Sequence, residues 1–133
     1  MAAKMVGVGS QYAYAERDSR GNYLDGGKSY KLHLPPKAPA KTFWSFVVYD
    51  PQTRSELQTD AQFPSLSSQS PGIAVNNDGS VDVYFGPTAP TGYEKNWIQT
   101  VPGKGWNVIM RLYGPLEPWF DKTWRPGEIE SMQ

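Results

Sequence analysis

The sequence predicts an all-β domain: a two-sheet antiparallel sandwich, jelly-roll or Greek-key like, with a short helical turn near the C-terminus. Three observations lead there. Residues 106–113 alternate strictly, with Trp106, Val108, Met110 and Leu112 on one face and Asn107, Ile109, Arg111 and Tyr113 on the other. A period of two is the mark of a strand with one apolar face. Glycine (13) and proline (12) punctuate the 133 residues closely, which suits short strands and many turns rather than long helices. The aperiodic stretch 52–77 is long enough to carry the chain from one sheet to the other, as a jelly roll or Greek key requires and a meander does not.

The elements follow in order. Residues 11–16 alternate Tyr12 and Tyr14 with Ala13 and Ala15 and read as a first strand. The clusters 18–22 and 25–27 are turns. Residues 29–34 form a half-buried strand, with Tyr30, Leu32 and Leu34 inward and Lys31 and His33 outward. Prolines 35, 36 and 39 end it and force an extended connection. Residues 43–49 are apolar on both sides, so a central strand covered on both faces is expected, the second by the 119–124 tail. In the long stretch that follows, Thr53 and Glu56 have capping-box spacing, and Leu57, Phe63 and Leu66 are its apolar anchors. Residues 73–75 are a short strand before the hairpin turn 76–79. Val81, Val83 and Phe85 point inward from the next strand, and 96–101 form a short one. Residues 102–105 turn into the strand 106–113, which Gly114-Pro115 stops. Prolines 115, 118 and 126 limit residues 116–122 to a turn or two of helix, and Trp119, Phe120 and Trp124 dock the tail. The expected organisation is an N-terminal tail (1–10), one β-sandwich domain (11–130) and a C-terminal tail (131–133).

Composition narrows the function. Thirteen basic and 13 acidic residues balance to a formal net charge of zero. That argues against nucleic-acid binding, which needs a positive surplus. The chain has no cysteine and one histidine, His33. Disulfides, thiolate chemistry and a multi-histidine metal site are thereby excluded. No metal and no cofactor is expected. No apolar run approaches the ~20 residues of a membrane span, and the first residues do not read as a secretory signal. Localisation stays open.

The runs FWSFVVYDPQTRSELQTD, NNDGSVDVYFGP, NWIQTVPGKGWNVIMRLYGP and EPWFDKTWRPGEIE carry a resemblance. They resemble the C-terminal module of uncharacterised, mostly bacterial proteins, the domain of unknown function 1214 family, usually found behind the domain of unknown function 1254. The likeness extends from about residue 6 to 130. It implies a β-sandwich module with an upstream partner domain, and it brings no reaction and no catalytic residues. Only a few residues precede the module here, so the chain reads as a free-standing copy or a fragment of a longer protein.

Candidate chemistry lies in four places. Trp97 and Trp119, next to polar residues and proline, could offer a stacking platform for a carbohydrate or small ligand. Trp44 and Trp106 read as core. Arg111, mid-strand among apolar neighbours, needs a carboxylate such as Asp82 or Asp121, or else binds an anion. Asp121 belongs to a run of tail carboxylates with Glu117, Glu128 and Glu130. Arg54 sits in the hydroxyl-rich stretch best suited to a polar site. Trp97, Trp119, Arg111, Asp121 and Arg54 are therefore the candidate ligand-binding residues. The reading is a non-catalytic module for ligand or partner-domain binding. The alternatives are a glycoside-type hydrolase with carboxylates in an aromatic cleft, and a structural or assembly module. An exposed apolar patch formed by Tyr12, Tyr14 and residues 34–39, with two-fold self-association, is also expected.

Overall fold

The computed structural model describes residues 10–49 and 65–132. Its strands are β1 (Ser10–Ala15), β2 (Tyr30–Leu34), β3 (Ala40–Tyr49), β4 (Ser65–Ser67), β5 (Val81–Gly86), β6 (Trp97–Gln99), β7 (Asn107–Pro115) and β8 (Ile129–Ser131). One short helix, α1 (Glu117–Phe120), follows β7. The first sheet has the order β1-β7-β3-β4 and the second the order β6-β5-β2-β8. Among the described strands only β3–β4 and β5–β6 are paired neighbours in sequence, and every other connection changes sheet. The fold is the all-β two-sheet sandwich that the sequence predicts, and it is not a meander.

The inward rows follow from alternation. β7 buries Val108, Met110 and Leu112, β3 buries Trp44, Phe46 and Val48, β2 buries Tyr30, Leu32 and Leu34, and β5 buries Val81, Val83 and Phe85. Both β3 and β7 lie inside the first sheet, where their apolar faces demand cover. Between the sheets the Trp106 ring stacks on Phe85 with centroids 4.9 Å apart and meets the Tyr30 ring edge-on at 5.7 Å. Leu66 is buried too and anchors the short β4.

Several expectations are corrected. The second sheet is mixed, because β6 runs parallel to β5. Residues 73–75 are not a strand. The side chain of buried Asn96 accepts from the Ala74 N–H and donates to the Ala74 carbonyl, so the backbone at the centre of this segment is satisfied without a ladder. Residues 94–96 form a 3-10 turn, which shortens the strand expected over 96–101 to three residues. The outer face of β3 is not sealed by the tail: Phe43, Ser45, Val47 and Tyr49 are half-buried. The tail docks elsewhere. Trp124 is buried, and its Nε1 donates to the carbonyls of Pro35 and Pro36. That contact, with Leu34 and Pro39 buried, leaves residues 34–39 with less exposed apolar surface than expected; Pro35, Pro36 and Ala38 are half-buried and Lys37 is exposed.

One close approach fixes where two loops meet. A Cβ on Gly26 would lie 1.9 Å from the Val101 carbonyl oxygen. Gly26 donates its N–H to Lys104, and its carbonyl accepts from the Thr100 hydroxyl at 2.8 Å. Only glycine allows two backbones this near each other.

Trp106 is 1% exposed, and its Nε1 is buried without a hydrogen-bond acceptor. Trp106→Ala should therefore cost about 3–5 kcal/mol in a denaturant titration. Trp106→Phe should cost much less, because it keeps a ring against Phe85 and removes the orphaned donor. Equal losses for both variants would contradict this account of the core.

Candidate functional site

The outer face of the first sheet is built by the same alternation that fills the core. Residues of β1, β7 and β3 that point away from the core align in cross-strand rows. Tyr113 lies opposite Ser10 on one side and Phe43 on the other. Arg111 lies between Tyr12 and Ser45, and Ile109 between Tyr14 and Val47. Asn107 pairs with Tyr49 at the end. Phe43 and Tyr113 stack with ring centroids 4.2 Å apart. Tyr12 and Tyr14 are 67% and 51% exposed. Across these rows the single formal charge is Arg111.

β1 is inverted relative to an ordinary amphipathic edge strand. Its large aromatic residues point to solvent, and the small Ala13 and Ala15 point to the core opposite Met110 and Val108. The alternation itself was legible in the sequence; its direction depends on pairing with β7. The register sets Tyr14 against outward Ile109, so the alanines take the inward positions.

Hydrogen bonds order this face. Asn107 is buried and its Nδ2 donates to the Tyr14 hydroxyl at 2.9 Å, which in turn donates to Glu16. The Asn107 Oδ1 is buried and accepts no hydrogen bond. Arg111 is exposed, and a hydrogen bond with the Tyr113 side chain holds its guanidinium above the usual arginine range, outweighing slight desolvation. Its charge is permanent under any ordinary condition.

The expected Arg111 partner Asp82 is on the other sheet. There Asp82 accepts from Asn76 and lies 2.8 Å from the His33 Nδ1 and 3.9 Å from the Lys31 Nζ. An Arg111–Asp82 pair is ruled out because the two side chains leave opposite faces of the sandwich. Asp121 caps its own turn, accepting from the Thr123 N–H and hydroxyl. The candidate residues are thus dispersed. Trp97, on β6, is half-buried and donates its Nε1 to the Gly86 carbonyl. Trp119 and Asp121 lie in and just after α1. Arg111 stands on the first sheet, and Arg54 lies outside the described residues, as do Leu57, Phe63 and the capping-box pair Thr53 and Glu56. Tail carboxylates occupy separate places too: Glu117 opens α1, Glu128 precedes β8 and Glu130 pairs with Lys31 across the second sheet. Among the described residues no group of three or more His, Asp or Glu gathers around a metal position. Nor is any described helix long and apolar enough to cross a membrane.

What the sequence reading missed is the cross-strand partnership. Phe43, Val47, Tyr49 and Ile109 join Tyr12, Tyr14 and Tyr113 only when the β1-β7-β3 register is known. The His33–Asp82 pair likewise needs the β2–β5 register, which places the two directly opposite.

Comparison with known proteins agrees with the architecture. A solved structure of the VPA0106 protein from Vibrio parahaemolyticus matches with a TM-score of 0.80 and 23% identity, over 95% of this chain and 31% of that one. An uncharacterized protein from Burkholderia cenocepacia matches with a TM-score of 0.59 and 20% identity, over 92% of this chain and 29% of that one. At these identities the likeness is one of fold. This chain spans about a third of the length of either protein. No curated protein matches. The family is shown by sequence: the chain belongs to the proteins of unknown function DUF1214, whose family model matches residues 9–117.

The second sheet's polar face yields a pH prediction. Burial pushes the Asp82 carboxyl up, but His33, Asn76 and Lys31 together outweigh it and hold it below the usual range. As pH falls through the ordinary aspartate value of about 3.9, the unfolded chain takes up this proton first, so stability present above that pH is lost below it. Urea midpoints should fall more steeply from about pH 4 downward in the wild type than in Asp82→Asn. Parallel curves would mean that these contacts contribute nothing.

Proposed function

We propose that this domain is a non-catalytic docking module whose first sheet binds another polypeptide domain through the outer face of β1, β7 and β3. The observation that carries the reading is the composition of that face: four tyrosines, Phe43, Val47 and Ile109 around a single Arg111, with no lysine, aspartate or glutamate in the rows described. Protein interface cores are enriched in tyrosine, phenylalanine and arginine and depleted in lysine and acids. Tyrosine and arginine also dominate binding hot spots. The opposite face of the sandwich, with Lys31, His33, Asp82 and Glu130, has the composition of a solvated surface. β1 adds an edge with no charge or proline in its six residues, the kind of edge that proteins otherwise protect.

A partner domain is the occupant we favour because the structurally similar proteins devote over two thirds of their length to other sequence. An upstream domain of unknown function 1254 would be such a partner, and Arg111 would select a carboxylate on it. A carbohydrate is a poorer fit, since the aromatic rings here lie on an open sheet rather than in a cleft with convergent polar groups.

Site-specific photo-crosslinking tests this. A benzophenone amino acid at Tyr12 or Tyr113, in cells making the chain in its natural context, should capture one polypeptide region outside this module. The same probe at His33 should capture none. Capture of a second copy of this module would replace the partner domain with a homodimer. No product at either position would remove the docking reading.

A further inference from the structure

We infer that the open edge of the sandwich between β1 and β8 is a binding site for a small uncharged apolar molecule, of the size of an alkylbenzene or a short hydrocarbon chain. The cavity opens on the core side of β1, opposite the docking face, and the two share only the rim residue Tyr14.

The cavity has a cause in the sequence. At β1 the inward positions hold Ala13 and Ala15, while the bulky neighbours Tyr12 and Tyr14 point away. Facing them across the sandwich is β8, a three-residue strand with Ile129 as its buried side chain. Two alanines and one isoleucine cannot fill the layer that Trp106, Phe85 and Tyr30 fill farther in. What remains is a cavity of about 220 Å3, floored by Leu32, Phe46, Met110 and Ile129 and walled by the two alanines. Native interiors carry few voids larger than a water molecule, so an opening this size at the edge of a core is unusual. An apolar cavity of ~150 Å3 lined by aliphatic and aromatic side chains stays dry and binds benzene. This one has room for a ring with a few added carbons.

The mouth decides the charge of the ligand. Arg17 and Asp18 stand there beside Glu128. Arg17 is already engaged, donating to the Tyr23 hydroxyl at 2.7 Å and to the Gly21 carbonyl at 2.8 Å, with its guanidinium over the Tyr23 ring. Asp18 spends its Oδ1 on the backbone N–H groups of Arg20 and Asn22. Arg17 and the Asp18 Oδ1 thus hold their own loop, and the charged groups stay at the rim, above a floor of Leu32, Phe46, Met110 and Ile129. An ion seated on that apolar floor would lose its hydration with no polar partner there to replace it, whereas an apolar molecule loses only unfavourable contact with water. The volume is below the ~300 Å3 at which drug-sized sites begin, which disfavours a nucleotide or an oligosaccharide.

Thermal unfolding and methionine methyl NMR test the site, with n-butylbenzene as the probe and glucose as the control. Saturating n-butylbenzene should raise the wild-type Tm, and glucose should not. The Met110 methyl signal should move on titration while that of Met132 stays in place. Ala15→Leu and, separately, Ala13→Met should abolish the Tm rise, because each fills the cavity. Tyr12→Ser, on the outer face and away from the cavity lining, should keep it. Should both filling variants fail to fold, the Met110 signal alone decides. A stationary Met110 signal at saturating probe overturns the inference. So does a Tm rise that survives cavity filling, or one lost only in the tyrosine variant, since either would put the probe on the outer face.

Discussion

The contact on which the rest depends is the aromatic tie between the sheets. Trp106, just before β7, stacks on Phe85 of β5 and meets Tyr30 of β2 edge-on. Phe85 in turn meets Phe46 of β3 edge-on at 6.3 Å. Rings from both sheets thus interlock across the middle of the sandwich, where aromatic pairs contribute beyond their buried area. Once they are in place, the inward rows of β2, β3, β5 and β7 have one available depth and one register. The loops adjust to that constraint. Gly26 gives up its side chain so that the 25–27 turn can press against residues 100–104, and Asn96 spends its amide on the backbone of Ala74 and Asp82.

The tie also explains what is left uneven. Large side chains concentrate on the β7-β3 and β5-β2 side of the core. Toward β1 and β8 the residues become small, and the sandwich opens. β1 keeps its place through its ladder with β7 and through Tyr14, which reaches across to Asn107. A strand that turns its tyrosines outward and its alanines inward gives up hydrophobic burial relative to the opposite facing. Its register is imposed by the ladder and by the chain's path, and the two surfaces it creates are the aromatic face and the edge cavity.

Sequence alone was enough for the frame. Strong alternation in residues 30–34, 81–85 and 106–113 could face only one way, because one side was apolar and the other carried polar or charged residues. The weak points were elements whose pattern has no such asymmetry. Tyr and Ala in β1 differ in size more than in polarity, so periodicity could not orient them. Residues 43–49 are apolar on both sides, and burial on both was the natural expectation; in the fold the second side joins the aromatic face. Residues 73–75 have strand-like composition, yet a single amide from Asn96, more than twenty residues away, takes both backbone groups of Ala74 at their centre. The candidate residues were chosen singly for their chemistry. Arg111 lies on a coherent surface because of neighbours on two other strands, and no spacing along the chain encodes that. Trp97 and Asp121 also make local hydrogen bonds, to the Gly86 carbonyl and from Thr123, which spacing along the chain did not show.

The central claim is the facing of β1, from which both the aromatic face and the cavity follow. The chain has no cysteine, so single cysteines can be introduced without background. Thiol-labelling rates of the native protein should be compared at positions 12, 13, 14 and 15, one cysteine at a time. The account predicts fast labelling at Tyr12→Cys and Tyr14→Cys and much slower labelling at Ala13→Cys and Ala15→Cys. The reverse pattern, with 13 and 15 fast and 12 and 14 protected, would contradict it.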